Sequence, residues 1–187
     1  MTKIVSNHWY YKGVKLHTTW HETDKLPKIA YTQVYPIAFN KSGKVMVARK
    51  LRTKVWNLPG GTPEYGETFE ETVIREADEE ASIDISHIKL LGYSDTQVPK
   101  NRAGIRPGRH VQLRCFAMID KINPRKPDPD GGVIRVRKLI DVKDFSEYIR
   151  WHGVGRAIIK AALKEYNNYT NTKKFSNLKI KKKAQTK

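Results

Sequence analysis

Hydrophobic and polar positions divide the chain into short alternating runs and two longer helical ones. Residues 8–22 (HWYYKGVKLHTTWHE) carry aromatic and β-branched runs on either side of Lys12-Gly13, which predicts a short hairpin. Residues 29–40 (IAYTQVYPIAFN) alternate as a strand, with Pro36 marking an edge or a bulge. Asn40-Lys41-Ser42-Gly43 reads as a turn and residues 44–49 (KVMVAR) as the returning strand. Val55-Trp56-Asn57-Leu58 leads into Pro59-Gly60-Gly61, a loop in which glycine permits positive φ and close approach of backbone to a ligand.

Thr68 followed three residues later by Glu71 is a capping-box pattern and sets the start of a helix. Phe69, Val73, Ile74, Ala77 and Ala81 then recur at helical spacing. Residues 88–98 and 111–122 read as strands, and 123–132 (NPRKPDPDGG) as a turn-rich loop. Residues 133–140 form another strand, and 142–149 a short helix or loop. Val154, Ile158, Ala162, Leu163 and Tyr166 make one face of a last helix starting near Gly153. Residues 1–28 are accordingly read as an N-terminal hairpin extension and 29–166 as the main domain. Residues 167–187, poor in apolar side chains, are expected to be a disordered basic tail. Strands, one helix, more strands and a last helix imply an α/β fold, a mixed sheet covered by helices on both faces.

Composition changes this picture in two respects. There is a single cysteine, Cys115, which excludes an intramolecular disulfide framework and a cysteine-based zinc cluster. No apolar run approaches the ~20 residues of a membrane span, and the N-terminus lacks the pattern of a signal peptide. The expectation is a soluble, cytoplasmic protein with no membrane partner. Charge is the positive clue: 36 Lys and Arg against 19 acids give +17, a balance that attracts polyanions. Residues 166–187 hold seven lysines and no acid, whereas the acids gather between Glu64 and Glu80. A dense acidic patch on a basic protein suggests carboxylates holding a metal beside basic groups that hold phosphate.

Glu76, Glu79 and Glu80 lie three and four apart, so a helix puts them on one face. Like charges so placed are unfavourable unless a cation neutralises them, and hard carboxylate oxygens suit Mg²⁺, with Mn²⁺ as the alternative. Such an ion can polarise a phosphoryl oxygen and acidify a bound water. Arg75 can pair with a carboxylate such as Glu67 and hold the loop against the helix. Taken together, Gly61, Glu67, Arg75, Glu76, Glu79 and Glu80 stand at the spacing G-x5-E-x7-R-E-x-x-E-E. This resembles the Nudix box, the signature of the Nudix hydrolases, with Ser82 where glycine is usual and Ile83 in place.

The resemblance implies an α/β/α sandwich and a hydrolase of diphosphate linkages. It implies Glu76 and Glu80 as metal ligands, the backbone carbonyl of Gly60 as a further one, and Glu79 as ligand or as the base that activates water. It also implies an orienting role for Arg75. Many members add a later carboxylate, for which Asp120, Asp128, Asp130 and Glu147 are candidates. A left-handed residue at position 82 would cost serine ~1 kcal/mol relative to glycine and remove no ligand.

Weaker signals surround this core. Residues 100–114 hold five basic residues and His110, a phosphate clamp or a solvated loop. Arg49, Trp56, Arg109 and His110 are candidate substrate contacts. Trp9, Tyr10, Tyr11 and Trp20 can stack on a base, but packing of the hairpin is the simpler role. The favoured substrate is a phosphorylated small molecule, a nucleoside di- or triphosphate derivative. The alternatives are a triphosphorylated or capped RNA end, presented by the basic loop and tail, and a non-catalytic nucleotide or nucleic-acid binding module. The hairpin is also a candidate homodimer interface, an arrangement seen in relatives.

Overall fold

The computed structural model describes residues 3–100, 104, 106–127, 129, 132–149 and 151–184; for 152 and 174–184 it describes backbone alone. Strands β1 (Lys3–Tyr11), β2 (Val14–Glu22), β3 (Gln33–Phe39) and β4 (Val45–Lys50) precede helix α1 (Phe69–Ala81). Strands β5 (Ile83–Val98), β6 (Gly108–Ile122) and β7 (Arg135–Ile140) follow, then a 3₁₀ turn, the one-turn helix α2 (Phe145–Tyr148) and helix α3 (His152–Ala184). The seven strands form one sheet in the order β1-β2-β5-β6-β3-β4-β7. All pairs are antiparallel except β3 with β6.

Alternation along the central strands decides which helix covers which face. Tyr35, Ile37 and Phe39 of β3, Val45 and Val47 of β4, and Phe116 and Met118 of β6 pack with Val154, Ile158 and Ala162 of α3. Their sequence neighbours point the other way: Val34, Ala38, Met46, Leu113, Cys115 and Ala117 pack with Phe69, Val73, Ala77 and Ala81 of α1. The period of two thus builds the expected α/β/α sandwich with a core on each side of the sheet. Ile74, counted in the helical stripe, lies on the other face of α1 and is exposed.

Two boundaries differ from the sequence expectation. The N-terminal hairpin is an integral part of the sheet. Lys12 and Gly13 take φ of 47° and 79°, the turn whose twist matches its strands, and β2 pairs with β5 from His17↔Gln97 to Glu22↔Gly92. Leu16 and Trp20 are buried in the core, at about 1.5–3 kcal/mol for an apolar side chain of this kind. Gly92 is needed there, since a Cβ would stand 2.0 Å from the carbonyl oxygen of His21. Of the early aromatics Trp20 packs as expected, whereas Tyr10 and Tyr11 remain exposed.

The second difference is α3, which continues through the segment read as a tail. From Arg156 to Ala184 there is no Gly or Pro to stop it. Tyr166 stacks on Phe39 at 4.9 Å and Tyr169 lies 6.2 Å from the Phe116 ring, so the core reaches past residue 166. Among the described residues no helix is long and apolar enough to cross a membrane.

Helix α1 begins as its sequence dictates: the Thr68 hydroxyl accepts from the Glu71 amide, and the Glu71 carboxylate accepts from the Thr68 amide at 2.8 Å. It ends at Ser82 in the left-handed region, φ 49° and ψ 52°. The Ser82 hydroxyl accepts a long bond from the Lys126 amide, 3.3 Å. Ser82→Gly removes a left-handed strain of ~1 kcal/mol and loses only that weak bond. A gain of less than about 1 kcal/mol with unchanged turnover is expected from denaturant unfolding and assay. A loss of stability would show that the hydroxyl outweighs the strain.

Candidate active site

Two short bridges pin the glycine loop over the sheet. Asn57 exchanges backbone hydrogen bonds with Ala48 of β4 (2.9 and 2.8 Å), and Gly61 does so with Val34 of β3 (2.9 and 3.2 Å). Residues 57–61 are thereby laid across the strand ends, facing α1. Gly60 adopts φ 150°, and a Cβ on it would stand 2.3 Å from the Val34 carbonyl oxygen. A Cβ on Gly61 would stand 2.1 Å from Oε1 of Glu76. Bare backbone at Gly61 leaves room for the carboxylate, and at Gly60 it lets the loop close on β3.

On α1, Phe69, Thr72, Val73, Glu76, Ala77 and Ala81 make the buried stripe. Glu76 thus occupies a place where an apolar residue is the rule. Burial pushes its carboxyl above the usual range, against the pull of Arg75. Glu76, Glu79 and Glu80 line one cavity of about 470 Å³ together with Gly60, Gly61, Tyr35, Arg49, Lys50, Asn57 and Arg135. The carboxylates share a wall, as helical spacing requires. They do not converge on a single point: among the described residues no three acid or histidine side chains stand in metal-holding geometry. Two guanidiniums compensate them instead.

Arg75 is the hub. Its Nε donates to Glu67 Oε1 at 2.7 Å, its Nη1 to Glu76 Oε1 at 3.2 Å and Glu79 Oε2 at 3.0 Å, and its Nη2 to the Thr62 carbonyl at 3.1 Å. One side chain therefore ties the loop to two successive turns of the helix. Glu67, expected as its partner, also accepts from Thr72 and from the Glu64 amide. The Arg75 hydrogen bonds hold the Glu67 carboxyl down from 4.5 to about 2. Because the folded chain keeps this group ionised more firmly than the unfolded chain, its stabilisation is complete above about pH 4.5 and vanishes as pH falls through about 2. Acid unfolding of Glu67→Gln should accordingly be less steep across that window than that of the natural chain; identical pH dependences would contradict the pairing.

The second guanidinium was not legible beforehand. Arg135 Nη2 lies 2.5 Å from Glu80 Oε1, and the other Glu80 oxygen accepts from the Gly60 amide at 3.1 Å. Arg135 stands opposite Lys50 in the β4–β7 register. Two residues on, Arg137 donates to the carbonyls of Ala81, Ser82 and Asn123. The period of two thus aims both arginines at the C-terminal end of α1, which carries no basic residue in its last turn. The Arg135-x-Arg137 alternation was the available signal, but only the β4–β7 pairing shows where it points.

The remaining candidates divide. Arg49 lines the cavity, yet its Nη1 is engaged by the carbonyls of Leu51 (3.1 Å) and Thr53 (2.6 Å), and its guanidinium lies 5.2 Å from the Trp56 ring. Trp56 packs on the core and edge-on to Tyr148 rather than lining the cavity. Arg109 sits on β6 and pairs with Asp95 through two nitrogens, at 2.9 and 2.5 Å. His110 meets the Arg106 carbonyl at 2.7 Å. Both line a neighbouring cavity of about 480 Å³ with Thr32, Gln33 and Thr62. Gln33 belongs to both cavities. Of the later acids, Asp120 bonds Ser86 on the exposed end of β6, and Glu147 is exposed on α2. Neither lines the acid cavity; Asp128 and Asp130 lie outside the described residues.

The donor set fits a hard divalent cation: three carboxylates on one wall, one of them buried, with a glycine cradle that a single methyl group would fill. The chain is 38% identical over 55 residues to an RNA pyrophosphohydrolase of Shewanella piezotolerans, a match covering 29% of this chain and 32% of that protein. It therefore spans about a third of that curated relative's length. A Bacillus subtilis pyrophosphohydrolase superposes with a TM-score of 0.61 at 18% identity, over 86% of this chain and 97% of that one. A NUDIX hydrolase from Nitrosomonas europaea does so with 0.52 at 14% identity, over 74% and 90%. These likenesses place the fold. A family model of the NUDIX domain matches residues 32–162, strands β3 to β7, the glycine loop and the acid helix together, and the chain belongs to the Nudix family.

Proposed function

We propose that this protein hydrolyses a diphosphate linkage in a nucleotide-class substrate, using Mg²⁺ or Mn²⁺. The observation that carries the reading is that the acids Glu76, Glu79 and Glu80 and the cations Arg49, Lys50 and Arg135 line one cavity. Glu76, Glu79, Glu80 and the carbonyl of Gly60 would hold the cation. When bound, it supplies Lewis acidity toward a phosphoryl oxygen and lowers the pKa of a coordinated water.

The chain's own groups do the rest. Glu79 accepts the proton of the attacking water, as the oxygen–phosphorus bond forms and the bridging bond to the leaving phosphate breaks. Arg75 keeps Glu79 and the glycine loop in register and acts as a positioning residue. Lys50 and Arg135 attract the phosphates and offset the charge that develops on them. Arg135 must share Glu80 with an incoming cation, so binding of the ion and release of this ion pair are coupled.

A second reading keeps the chemistry and changes the substrate to the triphosphorylated 5′ end of an RNA. The name of the Shewanella relative favours it, as does the lysine-rich far end of α3, which suits backbone phosphates. One panel tests both: free nucleoside triphosphates, nucleoside diphosphate derivatives and 5′-triphosphorylated RNA, each with Mg²⁺, with products identified. Phosphate or pyrophosphate release that disappears with a chelator is the expected result. A salt-sensitive preference for the RNA selects the second reading. No release from any member would overturn both.

A further inference from the structure

On the α3 face of the sheet, away from the acids, lies a chamber of about 260 Å³ walled by Trp9, Trp151, Thr18, Ser94, Gln112 and Arg114. Arg114 is its unusual member. It is only 5% exposed, and among the described residues no carboxylate pairs with it. Its guanidinium lies between the Tyr35 and Trp151 rings, 4.6 Å from each. Nη1 donates to the Leu113 carbonyl at 3.0 Å and Nη2 to Gln112 Oε1 at 2.8 Å, while the buried Nε has no partner. Burial pulls the group down to about 10, so it stays charged at neutral pH.

A buried cation with an unmet donor and no counter-ion is costly to the fold by itself. Nη1 and Nη2 each carry a second N–H beyond the bonds to Leu113 and Gln112, and an arginine offers donors only, so a guest that meets it must present an acceptor. The chamber is smaller than the ~300–1,000 Å³ that whole drug-sized ligands occupy, which suits one ring system. Two indoles supply flat walls. Shared residues link the chamber's walls to those of the acid cavity. His110 lines both it and the neighbouring cavity, and Gln33, which lines that cavity and the acid cavity, accepts from Gln112 at 2.5 Å. Tyr35, stacked on Arg114, forms part of the acid cavity's wall.

We infer that this chamber seats the base of the substrate, and that Arg114 makes it selective for a base presenting carbonyl oxygens, guanine or uracil, over one presenting an amino group at that edge, adenine or cytosine. The inference deepens the proposed function and depends on it for the word substrate, but not for binding. Arginine contacts to the oxygen-bearing edge of guanine are the commonest specific ones between proteins and bases. An amino group at the same place meets donor with donor. Arg114 is thus a specificity residue, fixed by Gln112 and by the two rings that sandwich it.

The test uses the four free nucleosides, which carry no phosphate, titrated into the full chain without metal and followed by indole fluorescence. Guanosine and uridine should bind about tenfold or more tightly than adenosine and cytidine. Arg114→Met should level the four affinities. Should that variant fail to fold, Ser94→Leu keeps the arginine and fills the chamber; it should abolish nucleoside binding while retaining the natural circular dichroism spectrum. Equal affinities for the four in the natural chain, or a preference that survives Ser94→Leu, would overturn the inference. Hydrolysis of phosphorylated substrates is read separately, so a chain that cleaves them without base preference refutes this inference alone. One that binds keto nucleosides but cleaves nothing refutes the proposed function alone.

Discussion

Replacing Glu79 by Gln should lower turnover by about 10²–10⁴-fold, the range that a positioned general base contributes, and leave the fold in place. The amide keeps the shape of the side chain and an oxygen that can accept from Arg75 Nη1, now 3.0 Å from the carboxylate. It cannot take a proton and brings no negative charge to the cavity. Glu80→Gln should be comparably damaging, because Glu80 is the acid that meets both the Gly60 amide and Arg135. For each variant the melting temperature should move by no more than about 2–4 °C, the equivalent of ~1 kcal/mol in a chain of this size. Near-normal turnover in both would remove these acids from the chemistry.

Arg75→Met should have the largest effect on stability. The side chain is 22% exposed and answers Glu67, Glu76 and Glu79 at once, with the Thr62 carbonyl as a fourth partner. Removing one member of a buried ion-pair network costs about 3–5 kcal/mol, because the charges left behind have no compensation. Here Glu76 and Glu79 on α1 and Glu67 just before it would all lose their partner, so urea unfolding should show a loss in that range. Millimolar Mg²⁺ should restore part of the loss, since a divalent ion would relieve the same repulsion, whereas it should do less for the natural chain. A loss below ~1 kcal/mol, or one that Mg²⁺ does not touch, would contradict the role of Arg75 as the hub.

How far the sequence reaches can be traced through these residues. Helix α1 was legible because its determinants are local: in the Thr68 and Glu71 box, the apolar stripe and the acid face, each residue stands no more than four positions from the next. The Arg75–Glu67 pair was legible for the related reason that only the N-cap Thr68 and the first two turns of one helix connect them. Lys12-Gly13 likewise specifies its own turn. What remained hidden depends on pairing across the sheet. Arg135 reaches Glu80 only because β7 lies beside β4, and Arg114 becomes a buried, unpaired cation only once β6 is laid beside β3 and α3 closes over it. The hairpin looked like an appendage because nothing local says that Trp20 will be buried by β5 and α3. The end of α3 is hidden for another reason: its polar composition argues against a packed core, whereas the absence of Gly and Pro allows the helix to continue.

The three acids illustrate the same division. Their common face followed from helical spacing alone, but their compensation by Arg75 and Arg135 did not. That compensation makes the central claim, that Glu76, Glu79 and Glu80 hold a divalent cation against a diphosphate, open to one direct measurement. Mg²⁺ is titrated calorimetrically into the natural chain and into Glu76→Gln/Glu80→Gln, each with a methylene-bridged nucleoside triphosphate that cannot be hydrolysed. Saturable binding in the natural chain, weakened at least about tenfold in the double variant as two of the hard oxygen donors are lost, is the expected result. Equal binding in the two proteins, or no saturable binding in the natural one, would contradict it.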